Sequence, residues 1–354
     1  MSDLDKYFRA VESIVQIRLF MVLRGHRGGV DTVRFSSDGN LIASADGGEL
    51  RLWKKGRNGS YTLYHVIDAS TNRVAFSPDG SLIASAGGRR GVRLWSLEGS
   101  CVAEFHPDES EVAFTPDGMI LVTGDTAGYV RIRDVVTRKL LYEFRGGSDQ
   151  KDISGPVTNL SFAPDGRRLA FCCSGKRGSV RVCDIQGSGL GRATWTIKGV
   201  DIMTSPKAEV AALSFSPDWQ FLAVAASCIW LFDAESLVLV GALDLPTSSD
   251  PIAIAFSPDG RLLAVATGEG MVWIWNVATR QIVTSFGAHT DVPIPDYISS
   301  VIGVIDWSPV EKLIATSGMG VFLIYDPQKG HDVPGQNDYT VKLWKCKWRG
   351  EKRK

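Results

Sequence analysis

The chain has 354 residues, 44% of them hydrophobic, enough to bury a sizeable core and to exclude global disorder. Its 39 Lys plus Arg balance 39 Asp plus Glu, which argues against a broad electrostatic attraction to nucleic acid or an acidic membrane. The six cysteines (Cys101, Cys172, Cys173, Cys183, Cys228 and Cys346) form no C-x-x-C pair, so zinc-finger spacing is absent.

In chain order, residues 1–16 read as an N-terminal extension without the basic-then-apolar layout of a signal peptide. The first apolar stretch, Leu19 to Leu23, is too short to span a bilayer, so a soluble intracellular protein is expected, cytoplasmic or nuclear. A strand is predicted over Ile17–Leu23, followed by Arg24-Gly25-His26. From there one unit recurs: an apolar strand, an S-P-D-G turn, a second apolar strand ending in small residues, and a third strand ending in L-W. Residues 74–95 carry the clearest copy, with Ser77-Pro78-Asp79-Gly80, Leu82-Ile83-Ala84-Ser85 and Leu94-Trp95. The turn aspartates stand at Asp38, Asp79, Asp117, Asp165, Asp218 and Asp259, spaced 41, 38, 48, 53 and 41 residues apart. A degenerate seventh copy is Ser308-Pro309-Val310-Glu311. S-P-D-G suits a type I turn, with Pro presetting φ at its second position and Gly at its fourth. The flanking segments are short and rich in Val, Ile, Leu and Phe, as buried strands require. Adjacent Cys172 and Cys173 are expected on opposite faces of one such strand, as buried free thiols.

This pattern resembles the WD-repeat family from about Leu23 to Trp344. The third-strand signature reads Leu52-Trp53, Leu94-Trp95 and Ile274-Trp275 in three units, and Ile132-Arg133, Val182-Cys183 and Leu231-Phe232 in three others. The aspartate that commonly follows is kept at Asp134, Asp184 and Asp233. The resemblance implies an all-β, seven-bladed propeller of four-stranded antiparallel blades over residues 17–348, with a basic tail at 349–354. Stacking the blades in a ring buries faces that a lone blade leaves apolar.

In the resembled family an N-terminal strand completes the last blade, which here assigns Ile17–Leu23 to that place. Two segments compete for the third strand of that blade, Val321–Asp326 and Tyr339–Trp344. The second is preferred, with an insertion over about 319–337, because it supplies all four members of the family's polar tetrad. These are His289, Thr316, Asp338 and Trp344. The first blade offers His26, Ser44 and Trp53, with Gly47 at the aspartate position. Both histidines are read as structural, since a buried indole N–H and hydroxyl need partners.

No catalytic residue, metal site or cofactor is assigned. None of the five histidines sits in an H-x-H, H-E-x-x-H or C-x-x-H arrangement. Phe144-Arg145-Gly146-Gly147 has one of the two arginines of the phosphoinositide motif found in some propellers, too little for paired recognition of a phosphorylated head group. Nucleic-acid binding through the basic tail, with Trp348 as a stacking residue, is similarly weak. The expected function is a non-catalytic scaffold, monomeric by itself, that binds a protein or peptide on the loop face around the central channel. The residues read as contacts are Arg27, Arg89, Arg90, Lys176, Arg177, Glu269 and Tyr297, joined by Phe322 and Tyr325 of the apolar insertion. A membrane adaptor and a propeller enzyme are the alternatives.

Overall fold

The repeated turns build the architecture. In a computed structural model of the chain, the amide of the fourth turn residue donates to the carbonyl of the first: Gly39 to Ser36, Gly80 to Ser77, Gly118 to Thr115 and Gly260 to Ser257, at 2.8–2.9 Å. The first residue's hydroxyl donates to the turn aspartate at 2.5–2.6 Å and accepts the amide that opens the second strand. The fourth residue has φ between +67° and +74° at these glycines, a region where a side chain is strained. Trp219 takes the same conformation at φ +63° in the fifth copy, where its ring stacks on Phe215.

The structure describes residues 14–145, 155–173, 179–186, 196–203, 209–247, 249–289, 302–318, 324–326, 331–333 and 339–348. Among these, the strands form seven four-stranded antiparallel sheets and one two-stranded sheet. Blades 1 to 6 span 32–68, 73–104, 109–145, 157–203, 212–243 and 251–287. Blade 7 is built from Ile302–Trp307, Leu313–Gly318, Val341–Trp348 and, outermost, Ile14–Leu23. The N-terminal strand thus closes the ring, pairing Leu19 with Trp344 and Leu23 with Val341.

Seven apolar clusters hold the ring, one at each junction between blades. The first strands touch around the whole circle, including blade 7 against blade 1. Cys172 and Cys173 show the alternation: Cys172 packs toward blade 5 and Cys173 toward blade 3.

The third-strand signature has one register throughout. Ile42 faces Trp53, Ile83 faces Trp95, Leu121 faces Arg133 and Leu169 faces Cys183. Leu222 faces Phe232, Leu263 faces Trp275 and Ile314 faces Trp344. The third strand of blade 7 is therefore the later segment, Val341–Trp348. The earlier one contributes Ile324–Asp326 to a small hairpin with His331–Val333, outside the blade.

Candidate functional site

The loops that join second to third strands lie on one face with the connections between blades. The two sets interlock: the Gly47 amide donates to the Thr71 carbonyl, the Ser70 amide to Gly48, and the Ala288 amide to Gly270. Polar His–Ser/Thr–Trp networks anchor this face. In blade 1, Trp53 Nε1 donates to Ser44 Oγ at 2.8 Å, and Ser44 Oγ lies 2.7 Å from His26 Nε2. His26 Nδ1 stands 3.1 Å from Asp46 Oδ2. With the indole donating to the hydroxyl, the hydroxyl donates to Nε2 and the Nδ1–H faces the carboxylate. Burial acts to raise the Asp46 carboxyl. Hydrogen bonds from His26 and from the Glu49 and Arg27 amides outweigh it and hold the group well below the usual carboxylate range.

Asp46 corrects the sequence reading, which put Gly47 at the aspartate position. Its Oδ1 accepts the amides of Gly48 and Glu49, a local turn that absorbs one extra residue before the third strand. In blade 7, Thr316 Oγ1 receives Trp344 Nε1 at 2.9 Å and lies 2.9 Å from His289 Nε2. Asp338 lies outside the described residues.

The described residues among those read as contacts lie in loops of this face. Arg27 is 84% exposed, and its side chain reaches Glu49 only at 4.0 Å. Arg89 and Arg90 belong to a short 3-10 turn, Gly88–Arg90. Arg90 is exposed, with Asp68 at 4.0 Å. Ion pairs this exposed contribute little and leave both heads available. Glu269 is half-buried in the loop after the second strand of blade 6. Tyr325 lies on the inserted hairpin. Lys176, Arg177, Tyr297 and Phe322 fall outside the described residues. Arg145 places its guanidinium 5.8 Å from the Tyr129 ring centre; Gly146 and Gly147, which complete its motif, are outside the described residues.

The first strands line an axial channel of about 780 Å³. Sequence reasoning missed its polar residues: Arg34, Arg73, Glu111, Asn159 and Asp306. They lie on the first strands of blades 1, 2, 3, 4 and 7, and only ring closure brings them together. Arg73 Nε donates to Glu111 Oε1 at 3.1 Å, and Asp306 Oδ2 accepts the Phe35 amide at 2.8 Å. Among the described residues no group of three or more His, Cys, Asp or Glu is placed to hold a metal ion, and no helix is long and apolar enough to cross a membrane.

Seven blades, a shared third-strand register and His–Ser/Thr–Trp networks define a β-propeller of repeated units. The chain belongs to the WD-repeat proteins: residues 17–54, 61–96 and 139–184 match the family described as WD domain, G-beta repeat. Residues 247–310 match the anaphase-promoting complex subunit 4 WD40 domain. Among curated proteins it is similar to pre-mRNA-processing factor 19 homolog 2 of Arabidopsis thaliana, 26% identical over 62% of this chain and 40% of that protein. It is 24% identical to actin-interacting protein 1 of Drosophila melanogaster, over 57% of this chain and 39% of that protein. It is 25% identical to WD repeat-containing protein 1 of Xenopus tropicalis, over 57% and 40%. The chain thus spans about two fifths of the length of these relatives.

Proposed function

We propose that this protein is a non-catalytic scaffold that holds a protein or peptide partner on the loop face around the channel. One observation carries the reading. Exposed arginines of blades 1 and 2, Arg27 and Arg90, share that face with the channel mouth and the inserted hairpin of blade 7. Arginine presented on loops above a rigid ring is the usual composition of an interface. The names of the relatives point in different directions, pre-mRNA processing and actin interaction, so neither partner is carried over. The compartment we assign is cytoplasmic or nuclear, where the six free cysteines stay reduced.

The test is quantitative co-purification with the full chain, comparing wild type with the double variant Arg27→Glu, Arg90→Glu. Arg57→Glu, in the turn between the third and outer strands of blade 1, serves as the opposite-face control. A set of proteins lost with the double variant and kept with Arg57→Glu supports the reading. Equal retention by all three proteins overturns it.

A further inference from the structure

One charge arrangement on the rim of the ring is left unbalanced. In blades 2 and 3 the charged side chains that face each other across the third and outer strands have opposite signs. Arg93 meets Glu104 at 3.1 Å, and Arg131 meets Glu143 at 2.6 Å. Blade 1 sets two acids opposite each other, Glu49 and Asp68, but gives each an arginine: Arg51 at 2.7 Å and Arg90 at 4.0 Å. In blade 7, Arg18 of the outer strand lies directly opposite Lys345, and both are exposed. Among the described residues neither has an acidic partner; the acid of the neighbouring turn, Glu311, is paired with Lys55 at 2.5 Å. Lys347, registered with Gln16 and diagonal to Arg18, adds a third cation to the same face. Like charges directly opposite in a sheet are destabilising, so an anion is what this pair lacks.

The same strand is an open edge. Ile14–Leu23 stands last in the order of its sheet, so among the described residues no strand pairs with its outer side. Between irregularities at Ile14/Gln16 and Leu19/Met21 it runs regularly over Gln16–Leu19. Unpaired edge amides and carbonyls are a template for another strand. Side chains alternate along this edge. Arg18 and Lys345 share the face of Leu313, toward blade 1, while Ile17 and Leu19 are registered with Cys346 and Trp344, toward blade 6. Leu19 is 47% exposed. A strand laid beside Gln16–Leu19 therefore meets cations with every second side chain and apolar groups with those between. A flat anionic surface has no such alternation to match.

We propose that the outer edge of blade 7 takes an added strand from a partner: an extended segment in which acidic residues alternate with apolar ones. Its acids settle on Arg18, Lys345 and Lys347, and its apolar side chains lie beside Ile17 and Leu19. This surface is the outer rim and not the loop face, so it stands or falls apart from the scaffold reading.

The experiment titrates the full chain with three peptides and reads binding from backbone-amide NMR shifts. The peptides are N-acetyl-Val-Glu-Val-Glu-Val-amide, its Gln counterpart, and a version with Pro at the centre, which keeps both acids but disrupts a strand ladder. Wild type, Lys345→Glu, Arg18→Gln and the blade 3 control Lys139→Glu are compared. The Glu peptide is expected to shift Gln16–Leu19 and to bind wild type at least about fivefold more tightly than either other peptide. Lys345→Glu should weaken it by at least about fivefold, Arg18→Gln should repeat the loss without introducing an acid, and Lys139→Glu should match wild type. Without peptide, Lys345→Glu should melt no lower than wild type, because it gives Arg18 an opposite charge; that separates a lost ligand from a lost fold. No binding of the Glu peptide, equal binding of the Gln or Pro peptide, or unchanged affinity in both Lys345→Glu and Arg18→Gln overturns the proposal. Sedimentation with phosphatidylcholine–phosphatidylserine vesicles that Lys345→Glu abolishes, with the Glu peptide silent, overturns it in favour of a membrane-facing rim.

Discussion

Arg133 and Glu109 form a buried two-pronged ion pair in blade 3, at 2.5 and 3.2 Å, at the register where blades 1, 2, 6 and 7 carry tryptophan. Arg133 also donates to Thr123 Oγ1 at 2.8 Å, the hydroxyl equivalent to Ser44. Next to it Arg131 binds Asp125 and Glu143. An ionic network thus replaces the polar tetrad in this blade. Its side chains are 8% and 0% exposed, so removing one partner strands a buried charge. Glu109→Gln should cost about 3–5 kcal/mol in urea unfolding, whereas Glu109→Leu with Arg133→Met should cost less than either single change. Additive single and double effects would sink this account.

Blade 6 has the opposite defect. Trp275 is buried at the tetrad register, but its Nε1 meets no acceptor among the described residues. Val265 occupies the position that Thr316 fills in blade 7. Val265→Thr should therefore stabilise the protein by on the order of 1 kcal/mol, by giving the indole an acceptor. Thermal unfolding decides it, and a variant less stable than wild type would refute the argument.

The ring was legible in the sequence because its determinants are local. Ser77-Pro78-Asp79-Gly80 and Leu94-Trp95 lie within one blade, and each specifies its turn or register without help from elsewhere. The polar interactions were less legible in proportion to their sequence separation. Asp46 was misplaced by a single residue, because its own turn lengthens the link to Trp53. Glu109 and Arg133 lie 24 residues apart, and the Phe35 amide meets Asp306 across 271. No spacing rule inside one repeat reaches contacts that exist only between strands or across the closing seam.

Asp46 links the tetrad to pH. Its folded pKa is depressed, so its contribution is fully present above its unfolded value of 3.8 and is lost as pH falls through the folded value. Asp46→Asn should lose about 1–3 kcal/mol at pH 7, because His26 Nδ1 and three backbone amides lose a charged acceptor. The gap between variant and wild type should narrow as pH falls below 4. Circular dichroism melts from pH 7 to pH 3 test this, and a gap that stays constant would show that the charge is not involved.

Closure is the joint on which the ring depends. Leu23 is buried at the seam with Met21 packed beside it, and Ile17 packs against the cluster between blades 6 and 7, a contribution of roughly 2 kcal/mol for each well-covered side chain. Deleting residues 1–23 uncovers these contacts and leaves the Val341–Trp348 strand as an unpaired edge. The melting temperature should fall by at least about 8 °C. A truncated chain that melts within about 2 °C of the full chain would mean that the seam is held elsewhere.

Glu111 should make the channel wall acid-stabilised. Burial raises its carboxyl to about 7, against the opposing pull of Arg73 and Arg34. A carboxyl with a raised folded pKa favours folding in its neutral form. Its contribution is therefore present below its unfolded value of 4.5 and is lost as pH rises toward 7. This slope is opposite in sign to that of Asp46 and lies in a higher pH window, so the two can be separated in one titration. Glu111→Gln keeps a neutral side chain at every pH. Relative to wild type it should gain on the order of 2–3 kcal/mol between pH 5 and pH 8. Urea midpoints at those two pH values measure the difference. A Glu111→Gln variant that tracks wild type across the interval would show that Arg73 keeps the carboxylate ionised throughout, so that the pair behaves as an ordinary salt bridge.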